Sequence, residues 1–166
     1  MCSVYSVGNP SDSSMFRIEH LYLSPGHNYF GHHDQPAGDH PTLAVPELEC
    51  VAGRGVRGDR FFDYKPDYKG QITFFAAEIY EELCTTFLPL AGAHPAPSAF
   101  RRNVITRGVD LNSLIGQSFC IQGISFLGTA ECSPCYWMDQ AFAPGTETAL
   151  KGRGGLRAKI LTDGWL

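Results

Sequence analysis

The sequence predicts a mainly β domain, a barrel or sandwich of short strands carrying few helices. Three observations lead there. Eleven prolines and eighteen glycines in 166 residues break the chain too often for a helical bundle. Between those breaks, alternating or β-branched and aromatic runs recur, while one stretch alone keeps a sustained helical period. Hydrophobic residues make up 43% and charged residues 18%, which suits one compact core and not a disordered chain.

Met1 to Ser14 is rich in Ser, Gly, Asn and Pro and reads as a flexible leader, leaving 15–166 as a single domain. Phe16 to Leu23 alternates as a first strand, ended by Ser24-Pro25-Gly26. A long loop runs from His27 to Pro41. Leu43 to Ala52 reads as a second strand, and Pro46 within it suits a sheet edge. Gly53 to Arg60 is a glycine-rich basic turn leading into Phe61-Phe62. Thr73 to Phe87 sets Phe74, Phe75, Ile79, Leu83 and Phe87 near helical spacing, opposite Glu78, Glu81 and Glu82; this predicts the main helix, with a solvated acidic face. Leu88 to Ser98 is an irregular, proline-rich connection. Asn103 to Thr106 is a strand, Asp110 caps a short turn over Leu111 to Ile115, and Gly116 closes it. Phe119 to Glu131 is a hairpin turning at Gln122-Gly123. Gly145 to Leu150 is a second helical turn, and Ala158 to Leu161 a last strand. No internal repeat or low-complexity tract stands out.

Cys132-Ser133-Pro134-Cys135 carries the most chemistry. Ser133 suits an N-cap and Pro134 the first helical position, so Tyr136 to Phe142 is expected as a short helix with Cys135 in its first turn. Free N–H groups and the helix dipole there favour a thiolate. Cys2, Cys50, Cys84 and Cys120 supply no second Cys-x-x-Cys, which disfavours a zinc tetrad, and the pair lies too late in the chain for thioredoxin-like exchange. Two ordinary part-buried cysteines remain the alternative.

Three basic segments stand against a net charge of −4: Arg54 to Arg60, Phe100 to Gly108, and Gly152 to Arg157. Each couples arginines to glycines or strand ends, so guanidinium and backbone N–H groups can converge on a phosphate or oxyanion. Taken singly, each also reads as a solvated turn or a structural ion pair. No nucleic-acid partner is expected, because a long phosphate backbone wants a broad basic face. His27, His32, His33 and His40 crowd one loop without a known metal-binding spacing; they read as solvent-facing residues, as an active-site wall, or as a metal site through His27, His32 and His33. No run reaches transmembrane length and no secretory pattern opens the chain, so a cytoplasmic protein with reduced thiols and no membrane partner is expected. Gly-x-Ser-x-Gly, phosphate-loop and dinucleotide fingerprints are absent from the sequence.

Gly58-Asp59-Arg60-Phe61, Phe100 to Leu111, Gly116, Glu131-Cys132-Ser133-Pro134-Cys135 and Gly152 to Arg157, in that order over most of the chain, resemble the MOSC domain, named for the molybdenum cofactor sulfurase C-terminus. The resemblance implies a β-barrel like that of the pyruvate-kinase barrel domain, with a few short peripheral helices. It also implies a molybdenum cofactor (molybdopterin), whose dithiolene gives the metal two sulfur ligands and whose phosphate needs cationic and backbone donors. By similarity to the amidoxime-reducing members, Cys135 is the molybdenum ligand, and Cys132 is a redox, sulfur-accepting or packed thiol. Arg60 matches the Asp-Arg-Phe motif, and Arg101 with Asn103 matches Phe-Arg-x-Asn. These, with the neighbours Arg102, Thr106 and Arg107 and with Arg153 and Arg157, are the expected cofactor-binding residues. His27 and Asn28 stand where those members carry a lysine and a serine.

The implied activity is reduction of small N-hydroxylated or related N-oxygenated substrates, with electrons from a donor protein and His27, His32 or Asp59 relaying protons. The rival is a sulfur carrier or cofactor-handling module bearing a cysteine persulfide. The chain includes no pyridoxal-phosphate domain, so sulfur would then come from a separate cysteine desulfurase. A degenerate domain holding another metal in the histidine loop is the third reading.

Overall fold

The computed structural model describes residues 16–29, 35–88 and 92–166. The predicted leader and the histidines His32 and His33 lie outside them. The described chain is mainly β with a few short helices, as expected. Strands β1 (Arg17–Leu23), β2 (Leu43–Ala44), β5 (Ile72–Ala76), β6 (Val104–Arg107), β7 (Ser118–Ile121), β8 (Ile124–Glu131) and β9 (Leu156–Ile160) form one sheet in the order β2-β1-β6-β5-β9-β8-β7. Strands β3 (Glu49–Val51), β4 (Gly55–Val56) and β10 (Gly164–Trp165) form a smaller one in the order β10-β3-β4. Cys50 and Val56 of the small sheet share one core with Ile72, Phe74, Phe119, Phe126 and Ile160 of the large one. A bond from the Gly53 N–H to the Ile160 carbonyl (2.9 Å) stitches the two together. The core is therefore enclosed by two separate ladders.

Pro46 divides the expected second strand: β2 ends at Ala44, and β3 begins at Glu49 in the other sheet. Proline has no N–H to continue a ladder, so the chain changes sheets there. The hairpin of β7 and β8 turns where expected, with Gln122 (φ 49°) and Gly123 (φ 82°) both left-handed, as a two-residue primed turn requires. Asp110 caps the turn Leu111–Leu114 by accepting from the Asn112 N–H at 3.0 Å.

The predicted helix over Thr73 to Phe87 needs correcting. Its first residues are β5, and helix α1 spans Ala77–Phe87. β5 lies between β6 and β9 and is buried on both faces, so its apolar residues run consecutively and imitate a helical stripe. Phe74 points into the barrel core beside Phe119 and Phe126, with centroids 5.7 and 5.6 Å away. Phe75 points the other way, onto Phe100 at 4.7 Å, beneath α1 and the helix α2 (Trp137–Ala141). The acidic face of α1 is engaged with other segments. Glu81 pairs with Arg107, Glu82 with Arg153, and Glu78 accepts from the Gly108 N–H. The short helix α3 (Thr146–Ala149) follows α2.

Two tests follow from this packing. Phe74→Ala should lower stability by about 3–5 kcal/mol in urea unfolding, as expected for an emptied core site, whereas Leu43→Ala at the exposed sheet edge should change it by less than about 0.5 kcal/mol. Burial pushes the Cys50 thiol up to about 12 from 9.0, so the fold favours the neutral thiol. That stability is complete below the unfolded value and is lost as pH rises through the window between the two. Urea midpoints measured at neutral pH and within that window should fall less for Cys50→Ala than for the native chain.

Candidate functional site

One cleft gathers residues from distant segments: His27, Asn28 and Tyr29 after β1, Arg60 and Phe61 after β4, Tyr68 and Thr73, Arg101 and Arg102 before β6, Cys132, Ser133 and Cys135 after β8, and Arg157 of β9. Beneath it lies the buried carboxylate of Asp59. Asp59 Oδ2 accepts from the Ser24 N–H at 3.2 Å and from Asn103 Nδ2 at 3.0 Å, and Oδ1 accepts from the Phe61 N–H at 3.0 Å. Asn103 passes the restraint to β5, its Oδ1 accepting from both the N–H (3.0 Å) and the hydroxyl (2.9 Å) of Thr73. The amide of Asn103 is thus committed to the scaffold under the cleft.

The arginines divide by the partners they keep. Arg101 has a left-handed backbone (φ 54°), and its buried guanidinium donates to the carbonyls of Gly26 (2.6 Å) and His40 (3.2 Å) and to the Thr42 hydroxyl (3.1 Å). It pins both stems of the loop after β1, helped by Asn28, whose side chain donates to the His40 carbonyl and accepts from the His40 N–H. Arg102 donates to the carbonyls of Phe100 and Gly154. A side chain at Gly154 would collide with the Cys132 carbonyl, so Arg102 braces the segment against which the thiol loop packs.

Arg60 is held more lightly. It lies 3.7 Å from Asp59 and donates to the Arg101 carbonyl at 3.4 Å. Burial pushes it down to about 10, the neighbouring Arg101 and Arg102 adding to the effect while Asp59 opposes it. The carbonyl of Arg157 accepts from the Thr129 hydroxyl at 2.9 Å, while its side chain lines the cleft with no hydrogen bond or ion pair among the described residues. Among the described residues no carboxylate lines the cleft. A concentrated positive charge with an unfilled demand for acceptors is the result.

Other predicted residues lie elsewhere. Arg107 pairs with Glu19 and Glu81, which raise its pKa, and Arg153 pairs with Glu82 and donates to the Ala149 carbonyl. Thr106 is buried in β6, its hydroxyl donating to the Phe75 carbonyl at 3.4 Å. The structure does not bring these three into the cleft. Their basic stretches look alike in sequence, and what separates them is the α1 carboxylates, which neutralise two of them.

The two thiols are also unlike each other. Cys132 is 2% exposed and its N–H donates to the Gly155 carbonyl at 2.8 Å, extending the β8–β9 pairing, whereas Cys135 is exposed. Cys135 precedes α2, which has five residues and Tyr136 at its cap, with no side-chain cap from Ser133. The ladder continues through Cys132 and delays the helix, so the first-turn placement expected for Cys135 gives way to a position just before it. His27 packs edge-on to Phe61 at 5.1 Å, and burial, with Arg60 adding, lowers its pKa. Among the described residues no three His, Cys, Asp or Glu side chains are clustered for a metal.

Tyr29, Tyr68 and Thr73 line the cleft without having been singled out as site residues in the sequence, and Phe61 was noted there only as part of a motif. For Tyr68 a signal was present: residues 63–69 repeat Asp-Tyr-Lys around Pro66. Tyr29 packs at a tilt against Trp137, with centroids 5.0 Å apart, a contact between segments that no local pattern reveals.

A family model described as the MOSC domain matches residues 57–165. Among solved structures, the chain is similar to the YuaD protein from Bacillus subtilis, with 19% identity and a TM-score of 0.68 over 92% of this chain and 91% of that one. It is similar to YiiM from Escherichia coli, with 18% identity and a TM-score of 0.61 over 90% of this chain and 65% of that one. YiiM from Geobacillus stearothermophilus gives 13% identity and a TM-score of 0.60, over 91% of this chain and 70% of that one. At these identities the likeness is one of fold. No curated protein matches significantly.

Removing the carboxylate beneath the cleft has a definite expected cost. Asp59→Ala should destabilise the protein by about 3–5 kcal/mol in urea unfolding, because it leaves buried donors without an acceptor and the Arg60 charge without its counter-charge. Asp59→Asn, which keeps an acceptor oxygen, should lose clearly less.

Proposed function

The chain belongs to the MOSC domain family, and from that premise we propose that its cleft binds the molybdenum cofactor, with Cys135 as the protein ligand to the metal, for the reduction of small N-hydroxylated or related N-oxygenated substrates. One observation carries the reading: an exposed thiol stands in a cleft lined by Arg60, Arg101, Arg102 and Arg157 and, among the described residues, by no carboxylate. That donor set fits the group. A soft thiolate suits a metal already held by sulfur, and guanidinium groups with open donors suit a phosphate.

When bound, the cofactor supplies two-electron oxygen-atom chemistry, which no side chain here provides. The protein's part is to hold and orient. Arg60 and Arg157 are the cations open to an anionic group, while Arg101 and Arg102 are largely spent on fixing the cleft walls. His27, its pKa lowered by burial with Arg60 adding, lines the cleft and offers a ring nitrogen for proton uptake or release. Electrons would come from a donor protein. No helix among the described residues is long and apolar enough to cross a membrane.

The exposure of Cys135 also favours a second reading, a carrier that receives sulfur on that thiol from a desulfurase. Metal content separates the two. Protein from a cofactor-competent host should contain molybdenum by elemental analysis, and Cys135→Ser and Arg60→Ala should each reduce it by about tenfold or more. Undiminished molybdenum in Cys135→Ser would sink the ligand assignment. A native chain without molybdenum but with one added sulfur atom on Cys135, read by intact mass, would establish the carrier instead.

A further inference from the structure

Residues 63–69 read Asp-Tyr-Lys-Pro-Asp-Tyr-Lys, and this doublet borders the cleft. Both aspartates hold a left-handed backbone, with φ 53° at Asp63 and 52° at Asp67. Such conformations are uncommon outside glycine and persist where the surroundings impose them. Here each aspartate is tied by its side chain. Asp63 is paired with Arg54, and Asp67 accepts from Lys159 Nζ at 2.6 Å.

Each tied aspartate precedes a tyrosine, and the two rings come together 4.9 Å apart. Phe61 stands behind them, 5.4 Å from Tyr64 and 5.2 Å from Tyr68. Tyr64 is 52% exposed. A ring that open contributes little to the core, so packing alone does not account for the construction. Phe61 and Tyr68 also line the cleft that holds Cys135, so the aromatic cluster runs from that lining out to Tyr64. The two tyrosine rings are tilted 58° to each other, and Lys65 Nζ lies over both, 5.8 and 5.4 Å from their centroids.

We propose that Tyr64 and Tyr68, backed by Phe61, form a stacking subsite for a planar aromatic ring of the substrate, an inference that rests on the reading of this cleft as a reducing site. Offset or edge contacts with tyrosine faces select a flat π-system over a saturated ring of equal size. The Lys65 ammonium favours rings carrying an anionic substituent over a cationic one.

The test compares benzamidoxime with cyclohexanecarboxamidoxime, which differ in the ring alone, by equilibrium affinity for the purified cofactor-loaded protein. Benzamidoxime should bind more tightly. Tyr64→Leu and Tyr68→Leu should each weaken it by about three- to tenfold and leave the cyclohexyl compound essentially unchanged, while Tyr64→Phe should keep the preference. Equal affinities in the native protein, or an unaltered ratio in the leucine variants, overturn the proposal. Bound pterin is measured on the same samples, and its loss in the leucine variants would assign the platform to the cofactor, overturning the substrate subsite. A ring preference that survives while Cys135→Ser retains its molybdenum would defeat the ligand assignment and leave the subsite standing.

Discussion

The carboxylate of Asp59 is buried where three segments of chain meet, and it satisfies a donor from each: the Ser24 N–H just after β1, the Phe61 N–H beyond β4, and the amide of Asn103 ahead of β6, with Arg60 at 3.7 Å. A buried acceptor shared this way is costly to leave without its partners, so the segments are restrained together. Asn103 carries the same restraint to Thr73 in the central strand. Arg60, Thr73 and Arg101 face the cleft because this polar knot lies behind them. The cleft is therefore a property of the fold's interior, and a loop-level description misses why its cations stand together.

The concentration of positive charge is costly to the folded protein. Arg60 is driven well below its ordinary pKa by burial and by the two arginines near it, and burial lowers Arg101 as well. Elsewhere the chain does not tolerate such a state: Arg54, Arg57, Arg107 and Arg153 each face a carboxylate. The contrast within one protein distinguishes arginines that hold the structure from those left for something else. An anion entering the cleft would relieve the repulsion it finds there and stabilise the fold by mass action.

Much of this was legible in the sequence where short-range chemistry decides the outcome. The first strand, the Gln122-Gly123 turn and the Asp110 cap each follow from a few adjacent residues. The Cys132 to Cys135 pair and the arginine segments also drew attention to the right regions. What could not be read there depends on residues far apart. Phe74 and Phe75 look like a helical stripe because burial on both sheet faces is invisible to local periodicity. Arg107 and Arg153 resemble Arg60 and Arg157 until α1 brings Glu81 and Glu82 against them. Cys135 was expected inside a helical turn, but pairing of Cys132 with Gly155 holds the chain extended and starts the helix later.

The position of β5 also has a temporal consequence. It pairs in parallel with β6, reached through the whole of residues 77–103, and antiparallel with β9, some eighty residues further along. Contacts of such long sequence separation form slowly, since loop closure precedes any gain from pairing. The cleft draws on both partnerships, taking Thr73 from β5 and Arg157 from β9. During synthesis it cannot exist until β9 has left the ribosome and docked on β5. Ligand capture thus waits on that distant pairing, and a bound ligand marks a chain in which β9 is in place.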